Sequence, residues 1–170
     1  RGRAYAALGA LPRAKADLER AILAHDRNAD AHYLKGNVEL DLARPYAAIV
    51  DFRRALALRG RFCEPWLGLG NALLQIRRYA EAVIAFDNYL QCGAPTALLF
   101  NNRGVANWNL NLPEQALADF TRAIELDPNY ALAWFNRGVL RAQMGDLDGG
   151  CEDLATARRL DPEDPDIPAA

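Results

Sequence analysis

Four aspartates stand in register along the chain, Asp17, Asp51, Asp119 and Asp153, separated by multiples of 34 residues. Two carboxylates can serve as general acid and base only when both reach one reacting bond. Members of one column in a stack of helices recur about 10 Å apart, which is too far for that work. The column therefore reads as local ion pairing or interaction with helix dipoles. The cysteines, Cys63, Cys92 and Cys151, are odd in number and form no Cys-x-x-Cys pair, and His25 and His32 do not complete a metal-binding set. All three read as small buried packing residues. With no signal-like segment, they point to a reducing, cytoplasmic setting. The chain has no serine, which excludes a serine nucleophile, and nothing in it resembles a phosphate-cradling glycine loop. The expectation is no catalytic residue, no metal and no cofactor.

The other chemistry on offer is hydrogen bonding by carboxamides. Asn37, Asn71, Gln75, Asn101, Asn102, Asn109, Asn136 and Gln143 recur at related places in the 34-residue frame. A carboxamide both donates and accepts, so a row of them can grip a peptide backbone with little side-chain preference. Tyr33, Trp108 and Phe135 would add apolar anchoring.

The elements that must carry these residues follow from one interval. Glycine recurs every 34 residues, at Gly2, Gly36, Gly70, Gly104 and Gly138, without insertion or deletion. A fixed period of this size marks a repeat architecture of stacked supersecondary units. Twelve residues after each glycine stand Ala14, Ala48, Ala82, Ala116 and Gly150, and four further on Leu18, Phe52, Phe86, Phe120 and Leu154. Each frame has room for two short helices. Pro45 and Pro113 suit the first turn of the second, and Leu112-Pro113 and Gly145-Asp146 mark turns. A mid-helix glycine costs about 1 kcal/mol against alanine, so the column predicts close backbone approach, glycine facing alanine. The Gly138 and Gly150 pairing should be the closest.

The aromatic Phe100, with Gly104, Ala116, Phe120, Ala123 and Pro128, resembles the tetratricopeptide repeat, as do Trp134, Gly138, Leu154, Ala157 and Pro162. The likeness covers essentially the whole chain. It implies an all-α, right-handed α-solenoid, a superhelix of stacked antiparallel helix–turn–helix repeats. The frame gives a single solenoid over 1–170, with a partial repeat 1–28, repeats 29–62, 63–96, 97–130 and 131–164, and an acidic, proline-rich tail 161–170. The resemblance also implies that the first helix of each unit lines a concave groove that chooses the ligand. Tyr33, Asn37, Asn71, Gln75, Asn101, Asn102, Trp108, Asn109, Phe135, Asn136 and Gln143 then line a peptide-binding groove, and Asn102 and Asn136 match the family's asparagine ladder. Gly68 falls on the same face. A clamp for chaperone tails is not expected, because Tyr33, Leu34, Leu67, Gly68, Leu98 and Asn102 stand where its basic residues would project.

The function expected is a protein-interaction scaffold holding an extended peptide or a partner helix. A structural spacer, or a self-associating module within a larger protein, is the alternative. Twenty basic and 22 acidic residues leave a net charge of −2, which does not suit nucleic acid as the main ligand. No apolar run approaches the length of a membrane span. The register opens partway through the first helix of unit one, and neither end carries a capping helix, so the solenoid ends could pair with another copy. The acidic tail is itself a candidate occupant of such a groove.

Overall fold

The computed structural model describes residues 2–25 and 27–163. Among them the chain forms nine helices and no strand: α1 (Gly2–Ala24), α2 (Ala29–Asp41), α3 (Pro45–Leu58), α4 (Glu64–Gln75), α5 (Tyr79–Leu90), α6 (Ala97–Asn109), α7 (Pro113–Leu126), α8 (Ala131–Gln143) and α9 (Leu147–Leu160). They fall into two compact units, Arg1–Gly93 and Ala94–Ala170. Within the first, α2 to α5 pack successively and α2 lies beside α4; within the second, α6 to α9 do the same, with α6 beside α8. Each unit is thus a stack of antiparallel helix pairs, and the fold class is an all-α solenoid. The first frame departs from expectation. Its two helices appear as one unbroken α1 with Pro12 inside.

The helix ends are written locally. Asn28, Thr96 and Asp146 each accept a hydrogen bond from the amide three residues on, which satisfies an orphan donor of the first turn. Proline opens α3 and α7 and lies in the first turn of α4. The turn inside each pair repeats with the 34-residue period. Ala43, Arg77, Asn111 and Gly145 all have positive φ. The next amide, at Arg44, Arg78, Leu112 and Asp146, donates five residues back, to Glu39, Leu73, Asn107 and Arg141. This is the Schellman closure, and its left-handed residue suits glycine best. Only Gly145 supplies it.

In each unit the core is built of rings packed on glycines. Phe52, Phe86 and Phe120 are fully buried. A Cβ on Gly36, Gly70 or Gly104 would lie 2.6, 2.5 or 2.7 Å from the ring of its own unit. The glycine faces phenylalanine, not alanine as the spacing suggested, because the larger side chain four residues on reaches across the helix pair. Phe52 also presses on Gly68, where a Cβ would stand 2.4 Å from the ring. Gly68 is therefore packing surface, a correction to its place on the groove face. In the last pair the backbones themselves meet: a Cβ on Gly138 would lie 2.9 Å from the Gly150 carbonyl oxygen, and one on Gly150 equally close to that of Gly138.

Candidate functional site

The aspartate column is fully engaged in local ion pairs. Asp51 meets Lys35 Nζ at 2.8 Å and His32 Nδ1 at 3.0 Å. Asp119 accepts from Arg103 Nη2 at 2.6 Å and Asn107 Nδ2 at 2.8 Å. Asp153 accepts from Arg137 Nε and Nη2 at 2.7 and 2.8 Å and from Arg141 at 3.1 Å. These three carboxylates are buried, whereas Asp17 pairs with Arg20 on the surface. Burial of a charge demands a partner with good geometry, and the basic residue one position before each glycine provides it. The third repeat replaces both partners, with Leu69 and Ala85. Two of the cations also cover an aromatic ring, Arg103 lying 5.2 Å from Phe100 and Arg137 4.8 Å from Trp134.

The amide face divides into two sets. In the second unit, Asn136 Nδ2 donates to Asn101 Oδ1 at 2.8 Å, and Trp108 Nε1 donates to Gln143 Oε1 at 3.1 Å. Both bonds tie α6 to α8. Asn101 and Asn136 are buried, and Asn101 Nδ2 donates in turn to Asn102 Oδ1 at 3.5 Å, so these two expected groove residues are engaged within the fold. Trp108 is half-buried, edge-on to Phe120 at 6.2 Å. Asn109 is exposed, its amide turned back to the Val105 carbonyl at 2.8 Å. Asn102 and Phe135 are half-buried and Gln143 is exposed. In the first unit, Asn37 and Asn71 are half-buried and Gln75 is exposed. Tyr33 is spent on packing, edge-on to Phe62 at 5.3 Å and tilted on Phe52 at 6.3 Å. Apart from Tyr33, the expected groove residues that are not buried are Asn102, Trp108, Asn109, Phe135 and Gln143 on α6 and α8, and Asn37, Asn71 and Gln75 on α2 and α4.

The cysteines depart from expectation. Cys63 and Cys92 form a disulfide with Cα atoms 5.9 Å apart, and Cys151 is exposed. None is a buried packing residue. The link joins the start of α4 to the residue pair after α5. An antiparallel helix pair returns the chain to its starting end, so a separation of 29 residues inside a 34-residue frame was the available signal. The premise for a reducing compartment falls with it, since disulfides persist in oxidising ones. Among the described residues no cluster of three or more His, Cys, Asp or Glu could hold a metal, and no helix is long and apolar enough to cross a membrane. The tail beyond Glu163 lies outside the described residues.

Comparison with known proteins places this geometry. Tetratricopeptide repeat models match residues 1–62 and 108–170. Human protein O-mannosyl-transferase TMTC3 is 29% identical over 97 residues, 56% of this chain and 11% of its own length. Human serine/threonine-protein phosphatase 5 is 26% identical over 96 residues, 56% of this chain and 19% of its own. The chain thus matches only a small part of these larger proteins. Among solved structures, YrrB, described as a TPR protein with an unusual peptide-binding site, shares 27% identity at a TM-score of 0.76, covering 88% of this chain and 77% of that one. MamA residues 41 to the end from Desulfovibrio magneticus RS-1 share 18% identity at a TM-score of 0.85, covering 97% and 94%. The glycine–phenylalanine column, the paired helices and these matches agree: the chain belongs to the tetratricopeptide-repeat family of helical-repeat, protein-interaction scaffolds.

Proposed function

We propose that the chain is a non-catalytic binding module that holds an extended segment of a protein partner against its first-helix faces, the α6–α8 face foremost. The observation that carries this is the pair of cross-helix bonds, Asn136 to Asn101 and Trp108 to Gln143. They hold the surrounding Asn102, Asn109 and Phe135 on a preorganised surface, and preorganisation reduces the entropy lost on binding. Exposed amides there suit main-chain recognition, and the Trp108 and Phe135 rings suit apolar anchoring. The peptide-binding site attributed to YrrB supports the reading.

The test is selection of peptides on the whole chain from a displayed library, followed by chemical-shift mapping and calorimetry. Selected peptides should shift α6 and α8 amides. Asn102→Ala with Gln143→Ala should weaken them about tenfold at unchanged helicity. Peptides that map to α7 and α9, or that ignore both substitutions, would refute the assignment.

A further inference from the structure

The third repeat differs from its neighbours in a way that opens a second surface. Where the second, fourth and fifth repeats pair a cation with a buried aspartate, it has Leu69 and Ala85. Between α3 and α5, these two and Leu73 floor a cavity of about 370 Å³ with an almost wholly apolar lining. Ile84 on its rim is 59% exposed. Trp66 forms one wall, and it also borders a second cavity of about 390 Å³ that runs past Arg61 to Cys92. Phe100 and Trp134 occupy the equivalent position and lie beneath a guanidinium of their own helix. Trp66 has Leu69 in that place. The two cavities form a trough along α5 from Glu81 to Gln91, about 15 Å at the helical rise.

The trough carries an excess of positive charge. Its one carboxylate, Glu81, is shared between Arg53 and Arg78, and Arg61 lines the far end. An occupant must therefore be acidic, present a bulky apolar side chain and run extended for about five residues at roughly 3 Å each. One segment of this chain has that chemistry. Asp161 closes α9, and the Glu163 amide turns back to its carboxylate at 3.3 Å. The residues that follow read Asp164-Pro165-Asp166-Ile167-Pro168. Prolines three apart favour the polyproline path and share one of its faces, a form recognised by aromatic-lined grooves.

We infer that this tail of one copy docks in the α3–α5 trough of another. Ile167 fills the apolar cavity, the prolines lie on Trp66, and the aspartates face the arginines. The site is distinct from the α6–α8 face, so its failure leaves the proposed function standing.

The test uses the isotope-labelled full chain with an acetylated peptide of residues 161–170, alongside a dilution series of the intact chain. The peptide should shift the Trp66 indole and Ile84 signals. The same shifts should grow with concentration in the intact chain and vanish in a chain ending at Glu163. Ile84→Glu, on an exposed rim position, should weaken the peptide about tenfold, since it places a carboxylate beside the acidic tail and removes apolar contact. Arg53→Glu should weaken the native peptide and favour one with Asp164→Lys and Asp166→Lys. Absence of shifts overturns the inference, as do shifts confined to other helices. Tail-dependent shifts that do not change on dilution place the tail on its own copy and overturn docking between copies.

Discussion

The buried ion pairs offer the sharpest test of how the repeats are held. Asp153 has a side chain 3% exposed and Arg137 one 10% exposed, joined by two hydrogen bonds. Asp153→Ala strands the guanidinium with only Thr121 Oγ1 at 3.4 Å, at an expected cost of about 3 to 4 kcal/mol. Arg137→Leu leaves the carboxylate still meeting Arg141 at 3.1 Å, so its cost should be smaller, about 2 to 3 kcal/mol. The double substitution recreates the pairing that the third repeat already uses at Leu69 and Ala85. It should lie within about 1 kcal/mol of the wild type, because an apolar pair of fitting volume replaces a desolvated ionic one at little net cost. Arg141 keeps Asp146 at 3.6 Å and stays partly hydrated. Urea unfolding followed by circular dichroism gives the four stabilities, with Trp134 fluorescence as the local reporter, since Arg137 lies over its ring. A double variant that loses as much as the two singles together would show that the partners act independently, and the coupling argument would fail.

Other predictions follow from the same geometry. Ala43→Gly and Arg77→Gly, at left-handed positions with φ of 56° and 60°, should each stabilise by about 0.5 to 1 kcal/mol, read as a higher urea midpoint. Replacing Cys63 and Cys92 together by serine should cost up to about 3.5 kcal/mol for a loop spanning 29 residues; a reducing agent should lower the wild-type melting temperature and leave the variant's unchanged. Gly138→Ala should destabilise by more than about 2 kcal/mol, because its new methyl group would meet the Gly150 backbone carbonyl and not a movable side chain. Burial, with help from Asp127, raises the Tyr130 hydroxyl above its ordinary 10.0. That contribution is complete below the unfolded value and is lost as pH rises through the folded one, so Tyr130→Phe should flatten the alkaline side of the stability profile. A melting-temperature series across that range would show it.

The repeat was legible because its contacts are short in sequence and identical in every unit. Gly36 and Phe52, or Gly104 and Phe120, lie 16 residues apart on two helices whose ends are set by local proline and cap chemistry. Columns of small and large residues are enough to align such a pair. The family, the all-α fold and the structural use of the aspartates could therefore be read without coordinates. The amide face was legible only as a set of candidates. One residue step along a helix turns a side chain by about 100°, the difference between solvent and a neighbouring helix. Tyr33, Asn101, Asn136 and Gly68 fell on the packed side of that step.

Relations between helices were beyond reach of the pattern. The Asn136 to Asn101 bond spans 35 residues and ties α6 to α8, with both side chains buried. The Cys63–Cys92 link, the left-handed turns at Ala43 and Arg77, and the trough left by Leu69 and Ala85 each depend on what stands opposite in space. Composition and spacing establish which residues can pack as a unit, since helix periodicity is local. Which polar groups remain for a partner is settled by the packing of neighbouring units, because a buried donor or acceptor must be satisfied wherever the fold places it.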